Sequence, residues 1–236
     1  MLYFLLLMSI VLMVCITKLA QLSIIWVLLG QISLSLVLIM VGNLEITTIN
    51  QIYGHQIELG YLAIPFTLLF LVGFTNVINT RKVRNPAILL LPFISLLYLT
   101  ISAYIVGDSF VLITGFCSSL VVLFILLYGY FKGKTFLASM FTMSIGFIIG
   151  VLSISLIKIS ILFIYIPIFT LALPFTLYYF IQNKITSVQA ITISSSMAIL
   201  FGALIFIVSS NILWLFVVGI SIILVIAQFT SKYRFV

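Results

Sequence analysis

The sequence predicts an all-α integral membrane protein, and three observations lead to this fold class. Of its 236 residues, 65% are hydrophobic and only 6% are charged. A water-soluble domain carries about 25% charged residues, so lipid must be the main solvent of this chain. The hydrophobic residues form long unbroken runs instead of alternating with polar ones, which favours helices over a β-barrel as the way to satisfy backbone polar groups in lipid.

Nine apolar runs approach the length of about 20 residues that a helix needs to cross a bilayer. The predicted spans are residues 2–17, 22–42, 61–79, 87–106, 110–130, 136–156, 159–181, 188–209 and 212–229. The first span is short, and we retain it because Lys18 at its end can extend to the lipid headgroups. The polar connection 43–60 is predicted to form a small hairpin on the outer membrane surface. Residues 1–236 are expected to form a single polytopic membrane domain.

The basic residues orient these predicted helices. With nine spans, nine basic residues fall on one side of the membrane, and only Lys158 falls on the other side, with Glu45, His55, Glu58 and Asp108. The basic side is therefore predicted to be cytoplasmic. This places the N-terminus outside and the C-terminus in the cytoplasm.

Residue patterns that carry chemistry are few. All three acids lie on the predicted outer side. One histidine, His55, and two cysteines within apolar runs, Cys15 and Cys117, do not make up a metal site. The net charge of +7 fits basic residues beside anionic lipid headgroups better than it fits nucleic acid, so no nucleic-acid partner is expected.

Several polar residues lie within or beside the apolar runs. Asn76 and Asn79 are three residues apart and share one helix face, and their plainest role is hydrogen bonding between helices. The same role is expected for Gln31 and the Ser194–Ser196 run, in preference to lining a substrate path. Asp108 is expected to cap the helix that follows it.

One long apolar run contains two prolines. Pro167 and Pro174 lie within the predicted span 159–181. A proline removes a backbone hydrogen bond from a helix, so this span is expected to be kinked.

Three segments give the sequence a resemblance to a known family: residues 22–42, 58–80 and 134–153. They resemble, in order and spacing, segments of the polyprenyl-phosphate N-acetylhexosamine-1-phosphate transferases, or glycosyltransferase family 4. Enzymes of that family transfer a sugar 1-phosphate from a UDP-sugar to polyprenyl phosphate at the cytoplasmic face, with Mg²⁺. The resemblance implies a multi-pass protein of the bacterial cytoplasmic membrane that acts in cell-envelope polysaccharide synthesis.

The acidic and histidine motifs of that family are altered here. Thr17-Lys18 stands where the family has Asp-Asp, and Lys82 and Asn85 replace the two aspartates of an Asp-Gly-x-Asp-Gly motif. Residues 138–142 replace a Gly-Asp-x-Gly-Ser motif, and the histidine box is reduced to residues 182–189, without a histidine. The remnants of the family motifs are Asn76, Asn79 and Lys134, together with Gly30-Gln31.

These changes predict a catalytically inactive relative with no catalytic residue, no metal ligand and no cofactor of its own, since Mg²⁺ needs carboxylate oxygens. It is expected to act as a subunit, regulator or lipid-phosphate binder, with membrane lipid, polyprenyl phosphate, envelope-synthesis proteins or a second copy as partners. A candidate anion site consists of Lys18, Lys82, Arg84, Lys132 and Lys134. Alternatively, these residues serve only to orient the helices in the membrane.

Two other functions stay open at this point. One is an active transferase with an altered site or a site completed by a partner. The other is a transporter or flippase component, although the chain has neither charge within its spans nor paired broken helices.

Overall fold

The computed structural model describes residues 2–19, 24–50, 56–78, 86–132, 139–182, 184–209, 212–220 and 222. The described chain is almost entirely helical. The helices are α1 (Leu2–Leu19), α2 (Ile24–Gly42), α3 (Ala63–Val77), α4 (Leu90–Val106), α5 (Ser109–Lys132), α6 (Ser139–Ile157), α7 (Ile161–Ile181), α8 (Ser187–Ile207) and α9 (residues 212–220).

Among the described residues, six helical segments are long and apolar enough to cross a membrane. They are Ile25–Gly42, Gly60–Val77, Ala87–Val106, Ser109–Phe131, Ile161–Ile181 and Ser187–Ile207. Two shorter apolar helices, Leu2–Cys15 and Phe141–Ile157, accompany them. The helical fold class is confirmed, and the number of nine crossings stays a prediction.

A two-stranded hairpin lies within the predicted stretch 43–60. Strand β1 (Thr48–Asn50) pairs antiparallel with β2 (Gln56–Glu58). The backbone N–H of Ile46 donates to Oγ1 of Thr67 at 2.9 Å, which fastens the hairpin to α3. His55, which was expected in its turn, lies outside the described residues.

Hydrogen bonds between distant residues bring several helix ends together near this hairpin. Tyr3 at the start of α1 donates to the Ser109 carbonyl at the start of α5, at 3.2 Å. Lys158 Nζ, just after α6, donates to the Asn43 carbonyl just after α2, at 2.6 Å. We call this the hairpin end.

The opposite end of the bundle is the one at which α1, α5 and α7 end. Lys18 and Lys132 lie in the last turns of α1 and α5, and Lys184 follows α7. We call this the basic end. The sequence prediction placed these three lysines on one common side, and their positions along the helices agree with it.

Asp108 connects two helices at the hairpin end. Its Oδ1 accepts hydrogen bonds from the backbone N–H groups of Phe110 and Val111 at 2.9 and 3.1 Å. Its Oδ2 accepts from Ser155 of α6 at 3.1 Å. The prediction that Asp108 caps α5 is therefore confirmed.

Helices α3 and α6 approach each other closely at two glycines. A β-carbon on Gly146 would lie 2.5 Å from the Phe74 carbonyl oxygen and 3.1 Å from the Thr75 Cα. One turn later, a β-carbon on Gly150 would lie 3.2 Å from Leu71. Glycines four residues apart permit such close packing in membranes, where small residues replace the hydrophobic effect as the basis of helix association.

Helix α7 is irregular between its two prolines. It begins as a 3₁₀ turn (Ile161–Ile164), and a π turn (Ile168–Ala172) lies between Pro167 and Pro174 before α-helix resumes. A π turn is one recognised cause of helix bending. The departure from α geometry therefore falls within the span where the sequence predicts a kink.

Candidate functional site

A pair of side-chain amides forms a hydrogen-bonded group in the described interior. Asn76 Nδ2 in α3 donates to Gln31 Oε1 in α2 at 2.7 Å, and Gln31 Nε2 donates back to Asn76 Oδ1 at 3.4 Å. Gln31 is only 1% exposed. The expectation that Gln31 hydrogen-bonds between helices is confirmed, and the same holds for Asn76.

The remaining amide protons of this pair have partners too. Asn76 Nδ2 also donates to the Val72 carbonyl at 2.8 Å. Gln31 Nε2 lies 3.8 Å from the Met143 sulfur of α6. All four amide N–H groups are therefore directed at acceptors within the bundle.

This contact joins the three segments that carry the resemblance described above. Gln31 lies in residues 22–42, Asn76 in residues 58–80 and Met143 in residues 134–153. The structure thus brings α2, α3 and α6 together around one buried, uncharged amide pair. Such a pair can hold helices in register, but it supplies neither a general base nor a metal ligand.

The acidic residues of the chain lie at one end of the bundle. The chain has three acids in all, and Glu45, Glu58 and Asp108 belong to the hairpin end. In the part of the chain that the structure describes, no group of three or more His, Cys, Asp or Glu side chains could hold a metal ion. The described residues therefore do not fit Mg²⁺ at the basic end.

The predicted anion site is described only in part. The backbones of Lys18 and Lys132 lie at the basic ends of α1 and α5, while their side chains are outside the described set. Asn79, Lys82, Arg84 and Lys134 lie wholly outside the described residues. Their convergence stays a prediction.

A cavity of about 380 Å³ opens beside the end of α3 that carries Asn76. Its walls come from α3 and α7, and three of the six lining residues are aromatic. The lining residues are Val77, Ala172, Phe175, Thr176, Tyr179 and Phe180. Tyr179 and Phe180 lie near the end of α7, so the cavity belongs to the basic end.

Ser194 and Ser195, which were expected to bond between helices, have hydroxyls with no hydrogen-bond partner among the described residues. The role of Met143 was missed, because an apolar side chain gives no signal of a polar contact. The glycine pair Gly146 and Gly150 was also missed, although its spacing is a recognisable sequence signal of close helix packing.

The fold and this site define a polytopic helical membrane protein whose α2, α3 and α6 meet at a buried amide pair. Residues 1–157 match the model of glycosyl transferase family 4. The match covers 157 of the 236 residues and includes α2, α3 and α6. The chain therefore belongs to glycosyl transferase family 4, and the resemblance predicted from the sequence is confirmed. No curated protein matches the sequence.

Proposed function

We propose that this chain is a membrane relative of the sugar 1-phosphate transferases that does not itself carry out metal-dependent transfer, and whose basic end binds a phosphate-bearing lipid. The observation that carries the proposal is the position of its three carboxylates. All belong to the hairpin end, whereas Lys18 and residues 139–142, which belong to altered family motifs, lie at the basic end.

The distance between the two ends is too large for these acids to serve a metal at the basic end. Asp108 caps the start of α5, a helix of 24 residues that ends at Lys132. At 1.5 Å per residue the helix is about 36 Å long. Mg²⁺ binds oxygen ligands at about 2.0–2.1 Å, so Asp108 lies far outside the coordination shell of an ion at Lys132.

Charge reversal adds to the loss of ligands. Lysine replaces aspartate at Lys18 and Lys82 relative to the family motifs. A pair of unit charges about 4 Å apart interacts by about 4 kcal/mol at an effective dielectric constant near 20. Each reversal therefore turns an attraction for Mg²⁺ into a repulsion of similar size, and the same lysines attract a phosphate.

The aromatic cavity supports a lipid as the ligand. Phe180 lines it, and Lys184 lies four residues further on, exposed at the turn after α7. Gln182 N–H bonds to the Tyr178 carbonyl and Lys184 N–H to the Ile181 carbonyl, so Lys184 lies close to the end of α7. An aromatic cavity with a lysine shortly after its last lining residue suits a hydrocarbon chain ending in an anionic headgroup.

The proposal includes the arrangement in the membrane. A single domain would cross nine times, with the N-terminus outside and the basic end in the cytoplasm of a bacterial cell. The three acids at the hairpin end and the lysines Lys18, Lys132 and Lys184 at the basic end support this orientation through the positive-inside rule, with Lys158 as the exception. Envelope-synthesis proteins or a second copy of the chain are the proposed protein partners.

Lipid binding is tested by native mass spectrometry of the purified protein with polyprenyl phosphate and, separately, with phosphatidylglycerol. We expect retention of polyprenyl phosphate at concentrations where phosphatidylglycerol is lost. Lys82→Gln and Lys134→Gln should each reduce that retention, while Lys158→Gln, which also removes one positive charge but at the hairpin end, should not. Equal retention of the two lipids would show that the lysines only set topology.

Membership of the family favours a second candidate, an active transferase whose metal site is completed by another chain. It predicts transferase activity in membranes that contain this protein together with its partner, and loss of that activity when either is removed. Purification by a tag on this chain, followed by identification of co-purifying envelope-synthesis proteins, distinguishes it from the first candidate.

A further inference from the structure

The exposed tyrosines and tryptophans of the described chain all lie near the ends of helices. At the hairpin end they are Tyr3, Tyr61, Tyr104 and Trp214, each within two residues of the nearest helix end. At the basic end they are Trp26, Tyr128, Tyr130 and Tyr179, each within four residues of the nearest helix end. We call the two groups the hairpin-end belt and the basic-end belt.

The course of the helices assigns both tryptophans to their ends of the bundle. Trp26 lies at the start of α2, and the residue just after the far end of that helix bonds to Lys158 at the hairpin end. Helix α8 starts shortly after Lys184 at the basic end, and its 21 residues, about 31 Å in length, carry the chain to the hairpin end. Trp214 follows there, at the start of α9.

Exposed phenylalanines are not confined to helix ends in this way. Phe116 and Phe124 lie in the interior of α5 and are 55% and 69% exposed. Tyr98, in the middle of α4, donates its hydroxyl hydrogen bond to the Ile199 carbonyl of α8 at 2.8 Å. Hydrocarbon cannot satisfy a hydroxyl or an indole N–H, whereas a phenylalanine ring has no polar group. The contrast between the two kinds of ring therefore indicates hydrocarbon around the middle of the bundle and polar surroundings at its ends.

The spacing of the two ends along α5 matches the thickness of a bilayer. Tyr128 lies 19 residues after Ser109, the first residue of α5 at the hairpin end. At 1.5 Å per residue this separation is about 29 Å, close to the hydrocarbon thickness of about 30 Å. Lys132 follows Tyr128 one turn later, so the backbone of this lysine lies outside the hydrocarbon when Tyr128 lies at its boundary.

We propose that the two belts anchor the protein in the two headgroup layers of a lipid bilayer, the hairpin-end belt in one layer and the basic-end belt in the other. Tyrosine and tryptophan favour this depth because the ring is apolar while its hydroxyl or indole N–H bonds to water and headgroups. The proposal rests on the membrane arrangement proposed above, and it adds the depth at which individual residues lie.

The depth of the basic-end belt bears on the aromatic cavity. Tyr179 belongs to this belt and also lines the cavity of about 380 Å³ between α3 and α7. The cavity therefore opens where the hydrocarbon meets the headgroups. A lipid at this depth has its hydrocarbon chain beside the cavity and its phosphate on the side of Lys184.

The exposed Tyr61 tests the hairpin-end belt at the turn before α3. In a chain with Trp26→Phe and Trp214→Phe, Tyr61→Trp places the sole tryptophan at this position. In phosphatidylcholine vesicles we expect its fluorescence to be quenched by lipid brominated near the headgroup. Quenching by iodide in the water phase, with none by brominated lipid, would show that this turn lies outside the bilayer and would contradict the belt.

The native tryptophans test both belts in the full chain, in phosphatidylcholine vesicles without polyprenyl phosphate. Trp214→Phe leaves Trp26 as the sole tryptophan, and Trp26→Phe leaves Trp214. Each should lose more fluorescence to lipid brominated near the headgroup than to lipid brominated near the end of the chain. Phe116→Trp, in a chain without the native tryptophans, is the matched control from the interior of α5 and should show the opposite order.

Stronger quenching of Trp26 or Trp214 by bromine near the end of the chain would overturn the proposal. The same order of quenching in the Phe116→Trp control as in the native tryptophans would also overturn it, because the depths would then not differ. Since these vesicles hold no polyprenyl phosphate, the result is independent of whether the basic end binds that lipid.

Discussion

The amides of Gln31 and Asn76 face each other across the α2–α3 interface and exchange hydrogen bonds, with the shorter of the two at 2.7 Å. The family resemblance predicts that both residues are remnants of family motifs. The amides that remain therefore bond to each other and to the bundle. Their role in the described structure is to hold α2 and α3 together beside Met143 of α6.

Replacing Gln31 with leucine should destabilise the protein by about 1–3 kcal/mol, because the partly buried Asn76 amide loses its partner. The free energy of unfolding in detergent is the measurement. Ser33→Ala on the same helix is the control, since Ser33 is exposed and bonds only to its own Leu29 carbonyl. The double variant Gln31→Leu with Asn76→Leu should recover stability, because replacing both polar partners by apolar groups is close to neutral. A larger loss of stability in the double variant than in Gln31→Leu would show that the two amides do not act as a pair.

Glycine substitutions test the close packing of α3 on α6. Gly146→Ala should cost about 1–3 kcal/mol, because its β-carbon would meet the Phe74 carbonyl and the helices would have to separate. Gly73→Ala in α3 is the matched control: nothing lies within 4 Å of its β-carbon position. Alanine is a better helix former than glycine by up to about 1 kcal/mol, so this variant should be neutral or stabilised. Equal effects at the two positions would contradict the close contact.

Asp108 should contribute through its cap and its bond to Ser155. Asp108→Ala is expected to lose about 0.5–2 kcal/mol of stability, and Asp108→Asn should lose less because its side-chain oxygen still accepts from the start of α5. Glu58→Gln, an exposed acid of the hairpin, serves as the control for removing a negative charge at that end. If Asn and Ala at position 108 lower the melting temperature equally, the cap geometry is not what Asp108 provides.

The helical fold could be predicted because lipid imposes it on any chain this apolar, and the apolar runs coincide closely with the described helices. The Asp108 cap was predictable because its cause is local: an acid directly precedes the helix. The partner of Asn76 could not be predicted, because helix face and spacing show only that its amide points into the bundle. Which helix meets it, and that Met143 completes the contact, depends on packing between segments 45 and more residues apart in the sequence.

The hydrogen bonding of the serines of α8 could not be predicted from the sequence either. Their residue type predicted hydrogen bonds between helices, but a hydroxyl can bond to its own helix, to another or to water. Residue type alone does not decide among these partners, and the hydroxyls of Ser194 and Ser195 have none among the described residues.

The proposed orientation predicts which side of the membrane each end faces. In a variant with Cys15 and Cys117 replaced by serine, Glu58→Cys should react with a membrane-impermeant maleimide added to intact cells or spheroplasts. Lys184→Cys should react only after the membrane is opened. The reverse pattern would invert the topology and place the basic end outside.

Transferase activity of the purified chain tests the central claim most directly. The protein is incubated with UDP-N-acetylglucosamine or UDP-N-acetylmuramoyl-pentapeptide, undecaprenyl phosphate and Mg²⁺, and lipid-linked product is measured against empty-membrane and active-transferase controls. We predict no product above the empty-membrane control, since the three carboxylates of the chain lie at the hairpin end. Mg²⁺-dependent formation of lipid-linked sugar phosphate by this chain alone would contradict the account.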